Sequence, residues 1–148
     1  MKKNTEKSFT LVEVLIFVAI LEIFFVAAAT VTFISVRNMK YNEHKIMATY
    51  YAEQLLNWMR NEKEIDWNEF SNKASDSYCF NSTDIRWPDF SGACRDNDYS
   101  LNSFYKRSAV LSKEGNPPSK FTVAITVAWQ ELGNNYFIPL NTIFTIWE

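Results

Sequence analysis

Glycine and proline are scarce and unevenly placed. The chain holds three Gly and four Pro, and the first of either is Pro88. These residues punctuate most chains far more often, so a first half without them predicts long, uninterrupted helix. The remainder, with Pro88, Gly92, Gly115, Pro117, Pro118, Gly133 and Pro139, reads as turns and short strands. Histidine and cysteine are as rare, being limited to His44, Cys79 and Cys94. That stock leaves few parts for a His-based hydrolase and no ligand set for zinc. His44 has no ligating partner at helical spacing and is expected to be solvated. No charge of one sign dominates either: 15 Lys and Arg against 17 Asp and Glu leave a net −2. That excludes a nucleic-acid binder working through bulk electrostatics. No nucleophile–base pair, phosphate loop or metal cluster is visible, so the sequence predicts no enzyme, no cofactor and no metal.

Aromatic residues are abundant, with 12 Phe, 7 Tyr and 5 Trp, which excludes disorder of the whole chain. A length of 148 residues allows one domain, or one domain plus an anchor. The anchor is plain. Phe9 to Val36 is an apolar run whose only ionisable side chains are Glu13 and Glu22. As a helix it would be roughly 42 Å long, more than a bilayer core of about 30 Å. It outruns a signal-peptide core, so residues 9–36 are expected to span the membrane in contact with lipid. Lys2, Lys3 and Lys7 precede the run, while Arg37, Lys40 and Lys45 follow it. That near balance is tipped by the terminal amine toward a cytoplasmic N-terminus. Cys79 and Cys94 read either as an extracytoplasmic disulfide or as two buried thiols. Glu13, four residues into the run, reads either as a partnered intramembrane carboxylate or as one snorkelling to the headgroups.

The segment Lys7-Ser8-Phe9-Thr10-Leu11-Val12-Glu13-Val14-Leu15-Ile16 resembles the signal of type IV pilins and type II secretion pseudopilins. The resemblance implies that a prepilin peptidase removes residues 1–8 by cutting between Ser8 and Phe9. It implies that the new amine of Phe9 is N-methylated and that Glu13, fifth in the mature chain, guides assembly with other pilin or pseudopilin subunits. Two positions depart from the family pattern. Ser8 stands where Gly is usual, and Glu22 stands where the pattern is apolar. Nine helical residues turn through about 900°, so Glu22 lies on the face opposite Glu13. The implied protein is a structural, minor subunit of a type IV pilus or related pseudopilus filament. It would be single-pass, with its N-terminus cytoplasmic and its head extracytoplasmic, and would move to the pilus or cell surface on assembly. Nucleic acid would be a partner only of a DNA-uptake filament.

Residues 37–148 form the expected head. Met39, Ile46, Met47, Tyr50, Tyr51, Leu55, Trp58 and Met59 recur at three- and four-residue steps, predicting an amphipathic helix over about 37–64. An irregular, Ser-, Asn- and Asp-rich stretch is expected over about 68–103. Within it, Asp96-Asn97-Asp98 has the opening of an EF-hand loop without its Gly or closing Glu. Asn81-Ser82-Thr83 fits the N-glycosylation pattern, a frequent chance match. Three antiparallel strands are expected over about 105–147, the clearest being Phe121–Trp129 with its strict two-residue period. Helix plus sheet makes an α+β fold. The competing functional reading is a single-pass membrane protein whose head binds a ligand or cell-wall glycan through exposed Trp58, Trp67 or Trp87.

Overall fold

The computed structural model describes residues 10–73, 76–114 and 120–145. Ser8 and Phe9 lie outside them. With no Gly or Pro to interrupt it, the first half forms one helix, α1, over Leu11–Ile65. Thr10 closes its first turn, its carbonyl accepting from the N–H groups of Glu13 (3.1 Å) and Val14 (3.3 Å). The chain divides into two units, residues 1–42 and 43–148.

In the first unit every residue from Thr10 to Lys40 is exposed. An 18-residue window there has a mean hydropathy of 2.7, enough in length and composition to cross a membrane. The two threonines near its end satisfy themselves. Thr30 and Thr32 donate to the carbonyls of Val26 (2.8 Å) and Ala28 (2.9 Å). Such back-bonding hides a hydroxyl that lipid could not solvate.

The second unit is an α+β head in which the later part of α1 lies on a four-stranded antiparallel sheet. Ala48, Tyr51, Ala52, Leu55, Met59 and Lys63 form the buried stripe of the helix. Met39, Ile46 and Tyr50, expected in that stripe, are exposed instead. At 100° per residue they point about 160–200° away from the Ala48–Leu55 line, so the three- and four-residue steps had merged two faces. Asp66 ends α1 by turning extended, and its carboxylate accepts from the N–H groups of Asn68 (2.8 Å) and Glu69 (3.0 Å). A cap of this kind contributes about 1 kcal/mol and starts α2, Trp67–Asn72.

The strands are β1 (Ser77–Cys79), β2 (Tyr105–Glu114), β3 (Lys120–Glu131) and β4 (Asn134–Thr145), in the order β1-β2-β3-β4. The sheet therefore has four strands where three were expected. The stretch read as irregular over 68–103 contains β1 and most of α2. A three-residue strand carries no period; pairing of Tyr78 with Ala109 makes it one. Phe121, Val123, Ile125, Val127 and Trp129 alternate inward along β3 and are fully buried. Leu132 and Gly133, both at positive φ, make the two-residue turn into β4. The outer edge of β1 is taken by Gly92, whose N–H donates to Ser77 O at 2.6 Å. β4 is the other edge, and Pro139 sits in it, where a missing N–H is tolerated.

Candidate functional site

Among the described residues, three groups of side chains are candidates for function: one in the first unit and two in the head. The first is the start of α1. Glu13 lies in its first turn, exposed, with its own N–H also facing the Thr10 hydroxyl at 3.4 Å. A carboxylate there is favoured by the helix dipole, by about 0.3–1 kcal/mol at an exposed site. From Leu11 to Val36 the surface around it is a continuous exposed apolar sleeve. A sleeve of that extent marks a surface meant for lipid or for other protein. Glu22 shares the sleeve and is also exposed.

The second cluster is centred on Arg107, which the alternation Tyr105, Arg107, Ala109, Leu111 turns inward on β2. Its side chain is fully buried. Nε donates to Phe80 O (3.0 Å), one terminal nitrogen to Tyr51 O (3.1 Å) and Gln54 Oε1 (3.2 Å), and the other to Ser82 O (2.9 Å). These acceptors are three backbone carbonyls and one amide, with no carboxylate among them. Burial pulls the guanidinium down to about 10, with Tyr51 acting weakly the other way. Asn81 completes the cluster, accepting from Arg107 N–H at 2.7 Å and donating to Asp98 O at 2.6 Å. The amide that the glycosylation pattern would use is thus engaged inside the fold. Cys79 and Cys94 are joined as a disulfide beside it. A closed loop of this length is worth roughly 3 kcal/mol on chain-entropy grounds. The segment from Phe80 to Cys94 is held at both ends and along its length. This arrangement fixes a loop.

Around Asp96 and Asp98 the contacts are local, made to the Asp96 backbone and the Asp98 carboxylate. Lys106 Nζ donates to the carbonyls of Arg95 (3.4 Å) and Asp96 (3.0 Å), and the Asp98 carboxylate accepts from Ser100 Oγ (2.7 Å). Among the described residues no three His, Cys, Asp or Glu side chains come together as a metal site.

The third cluster is aromatic. Trp87 packs against Trp58, Tyr78, Phe80 and Phe70 with ring centroids 5.3–5.9 Å apart. Its Nε1 donates to Glu62 Oε2 at 3.0 Å, and Lys73 Nζ lies 5.7 Å from its ring. Trp67 meets Phe121 edge to face at 5.1 Å. All three tryptophans expected to be exposed are half-buried. Aromatic neighbours from α1, α2, β3 and the β1 segment pack against them, leaving each only partly exposed. His44, expected to be solvated, is also half-buried, stacked on Phe104 at 4.4 Å with Nδ1 2.9 Å from the Tyr105 hydroxyl. Burial, with smaller contributions from Tyr51, Glu43 and Glu131, pushes the Tyr105 phenol up to about 12. A phenol held neutral above its ordinary value of 10.0 stabilises the fold fully below that pH. The contribution should then drain away as pH rises from about 10 toward 12. Denaturation midpoints across this range should fall more steeply for the wild type than for Tyr105→Phe; parallel slopes would contradict the assignment.

Sequence reasoning missed Arg107, though its inward place in the two-residue alternation was a usable signal. No family model, curated protein or solved structure matches the chain.

Proposed function

We propose that the chain is a structural, minor subunit of a type IV pilus or related pseudopilus filament, assembled through the first half of α1. The observation that carries this reading is the run Lys7-Ser8-Phe9-Thr10-Leu11-Val12-Glu13 opening directly into an exposed apolar helix with Glu13 in its first turn. Prepilin peptidase removes residues 1–8 on the cytoplasmic side and Phe9 is N-methylated. The chain then waits as a single-pass membrane protein with its head outside. A disulfide in the head supports that side, since such bonds persist in oxidising compartments.

The assembly step follows from the cost of charge in lipid. Cleavage leaves an α-ammonium on Phe9, and a neighbour's Glu13 carboxylate is the group that can neutralise it. Each is costly alone in low dielectric and much cheaper as a pair. A carboxylate four residues from the amine meets a neighbouring amine when helices stack with an axial offset, so the pair sets register. The head, fixed by its sheet, disulfide and Arg107 cluster, is carried as a rigid load.

Ser8 tests the processing step. Ser8→Gly should be cleaved at least as well as the wild type, whereas Ser8→Arg should leave the leader attached and the chain absent from filaments. Normal maturation of Ser8→Arg, read as a mobility shift on gels, would contradict cleavage at this bond.

A further inference from the structure

The turn between β3 and β4 holds a leucine where neither backbone nor water favours one. Leu132 (φ 50°) and Gly133 (φ 78°) both lie in the left-handed region, as the central pair of a primed hairpin turn must. Gly fits that conformation and Asn tolerates it, whereas a bulky side chain is strained there. Asn102, Ser103 and Leu132 are the described non-glycine residues at positive φ, and of these Leu132 alone is large and apolar. Its side chain is also 77% exposed. Strain and exposure are two costs with no return inside the head. Strain of this kind collects where a fold meets something else.

The turn lies at one end of the head. Trp129, three residues before Leu132, has its ring 6.4 Å from that of His44. Tyr105, paired with Trp129, has its hydroxyl 2.9 Å from His44 Nδ1. At the opposite end of β4, Lys63 Nζ donates to Thr145 O at 3.5 Å. The sheet thus runs along α1, and the turn projects about 10 Å past Trp129 on the His44 side. That is also the end where the chain enters the head. The head begins at Glu43, seven residues after the apolar run ends at Val36, and seven helical residues span about 10 Å. So short a tether keeps this end beside the bilayer at whatever angle the head takes. Phe137, 64% exposed and paired with Ala128, belongs to the same end.

From this placement we infer that the β3–β4 turn docks on the surface of the bilayer that holds the chain, with Leu132 inserted among the headgroups. The inference rests on residues 9–36 crossing the membrane, and not on assembly into a filament. A fluid surface suits a single projecting side chain, because it needs no pocket shaped to receive it. Arg37, Lys40 and Lys45, on either side of the entry to the head, favour anionic headgroups there. Glu131 and Asn134, paired at the foot of the turn, are polar and limit insertion to its tip. The head gains a second point of attachment.

Both cysteines are held in the disulfide, so one added thiol takes an environment-sensitive dye alone. The dye is placed by Asn134→Cys beside the turn, or by Ile65→Cys at the far end of the head. The full, unprocessed chain is carried in vesicles of phosphatidylcholine and phosphatidylglycerol containing a lipid with a nitroxide on its headgroup. The dye at position 134 should be strongly quenched and the dye at position 65 should not. Adding Leu132→Asn should lower the ratio of docked to free turn about tenfold. Leu132→Phe should keep it. The denaturation midpoint of Leu132→Asn should not fall, since Asn suits the turn. Equal quenching at the two positions, or quenching unchanged by Leu132→Asn, would overturn the inference. A dye at 134 that becomes watery as the chain is diluted in lipid would assign Leu132 to a second copy, and would overturn it too. A chain that does not float with the vesicles refutes the span and this inference with it. No peptidase is present, so none of these results bears on the filament reading, which is tested by the mature N-terminus.

Discussion

Arg107→Ala should unfold the head more readily than any other single change outside the hydrophobic core. The substitution removes four hydrogen bonds at once, those to the carbonyls of Tyr51, Phe80 and Ser82 and to the Gln54 amide. Those acceptors come from α1 and from the segment after β1, so the loss also unties that loop. Four lost hydrogen bonds, two of them fully buried, and a large void together cost on the order of 3–5 kcal/mol. Relief from burying a cation works against this, since the guanidinium is itself held down to about 10 by desolvation. Relief is the smaller effect because every described donor contact of the group is well placed. Arg107→Lys separates the two contributions: it keeps the charge but offers one compact ammonium to acceptors spread around a planar fork. It should recover less than half of the loss. Urea denaturation of the full chain in detergent, followed by tryptophan emission, reads both variants. An Arg107→Ala protein within about 1 kcal/mol of wild type would show that the cluster decorates the fold rather than holding it.

Glu13→Leu should have the opposite profile, leaving the head intact and disabling assembly. Glu13 lies in the first unit, and the core of the head comes from Ala48, Tyr51, Leu55, Met59 and the sheet. Denaturation midpoints should therefore match the wild type. Membrane insertion should hold or improve, since an apolar residue replaces a charge in an apolar run. Each incoming subunit, however, would leave a neighbour's ammonium unpaired in low dielectric, a penalty of about 3–5 kcal/mol. At 1.4 kcal/mol per decade that is a fall in incorporation of about a hundredfold or more. Equal incorporation of both proteins into purified filaments at matched expression would show that the pair does not drive assembly.

The parts of the molecule legible in the sequence are those where one physical signal spans many residues. The apolar run from Phe9 and the absence of Gly and Pro before Pro88 mark α1 unaided. The alternation from Phe121 to Trp129 marks β3 because one sheet face is wholly buried. Features set by tertiary contact were hidden. β1 exists because β2 and Gly92 flank it, and nothing within Ser77-Tyr78-Cys79 says so. Trp87 looked like a surface residue in a polar loop, yet its neighbours Trp58 and Phe70 lie far off in the chain. Arg107, flanked by Lys106 and Ser108, drew no notice in the sequence, although the alternation of β2 turns it inward. The proposed assembly site rests on a local pattern, the run from Phe9 through Glu13 into the apolar stretch behind it.

The filament reading stands or falls on where the mature chain begins. Intact-mass and N-terminal peptide measurement on protein drawn from membranes with an active prepilin peptidase should find Phe9 first, with one methyl group on its amine and residues 1–8 gone. A mature chain that still begins at Met1 would contradict it.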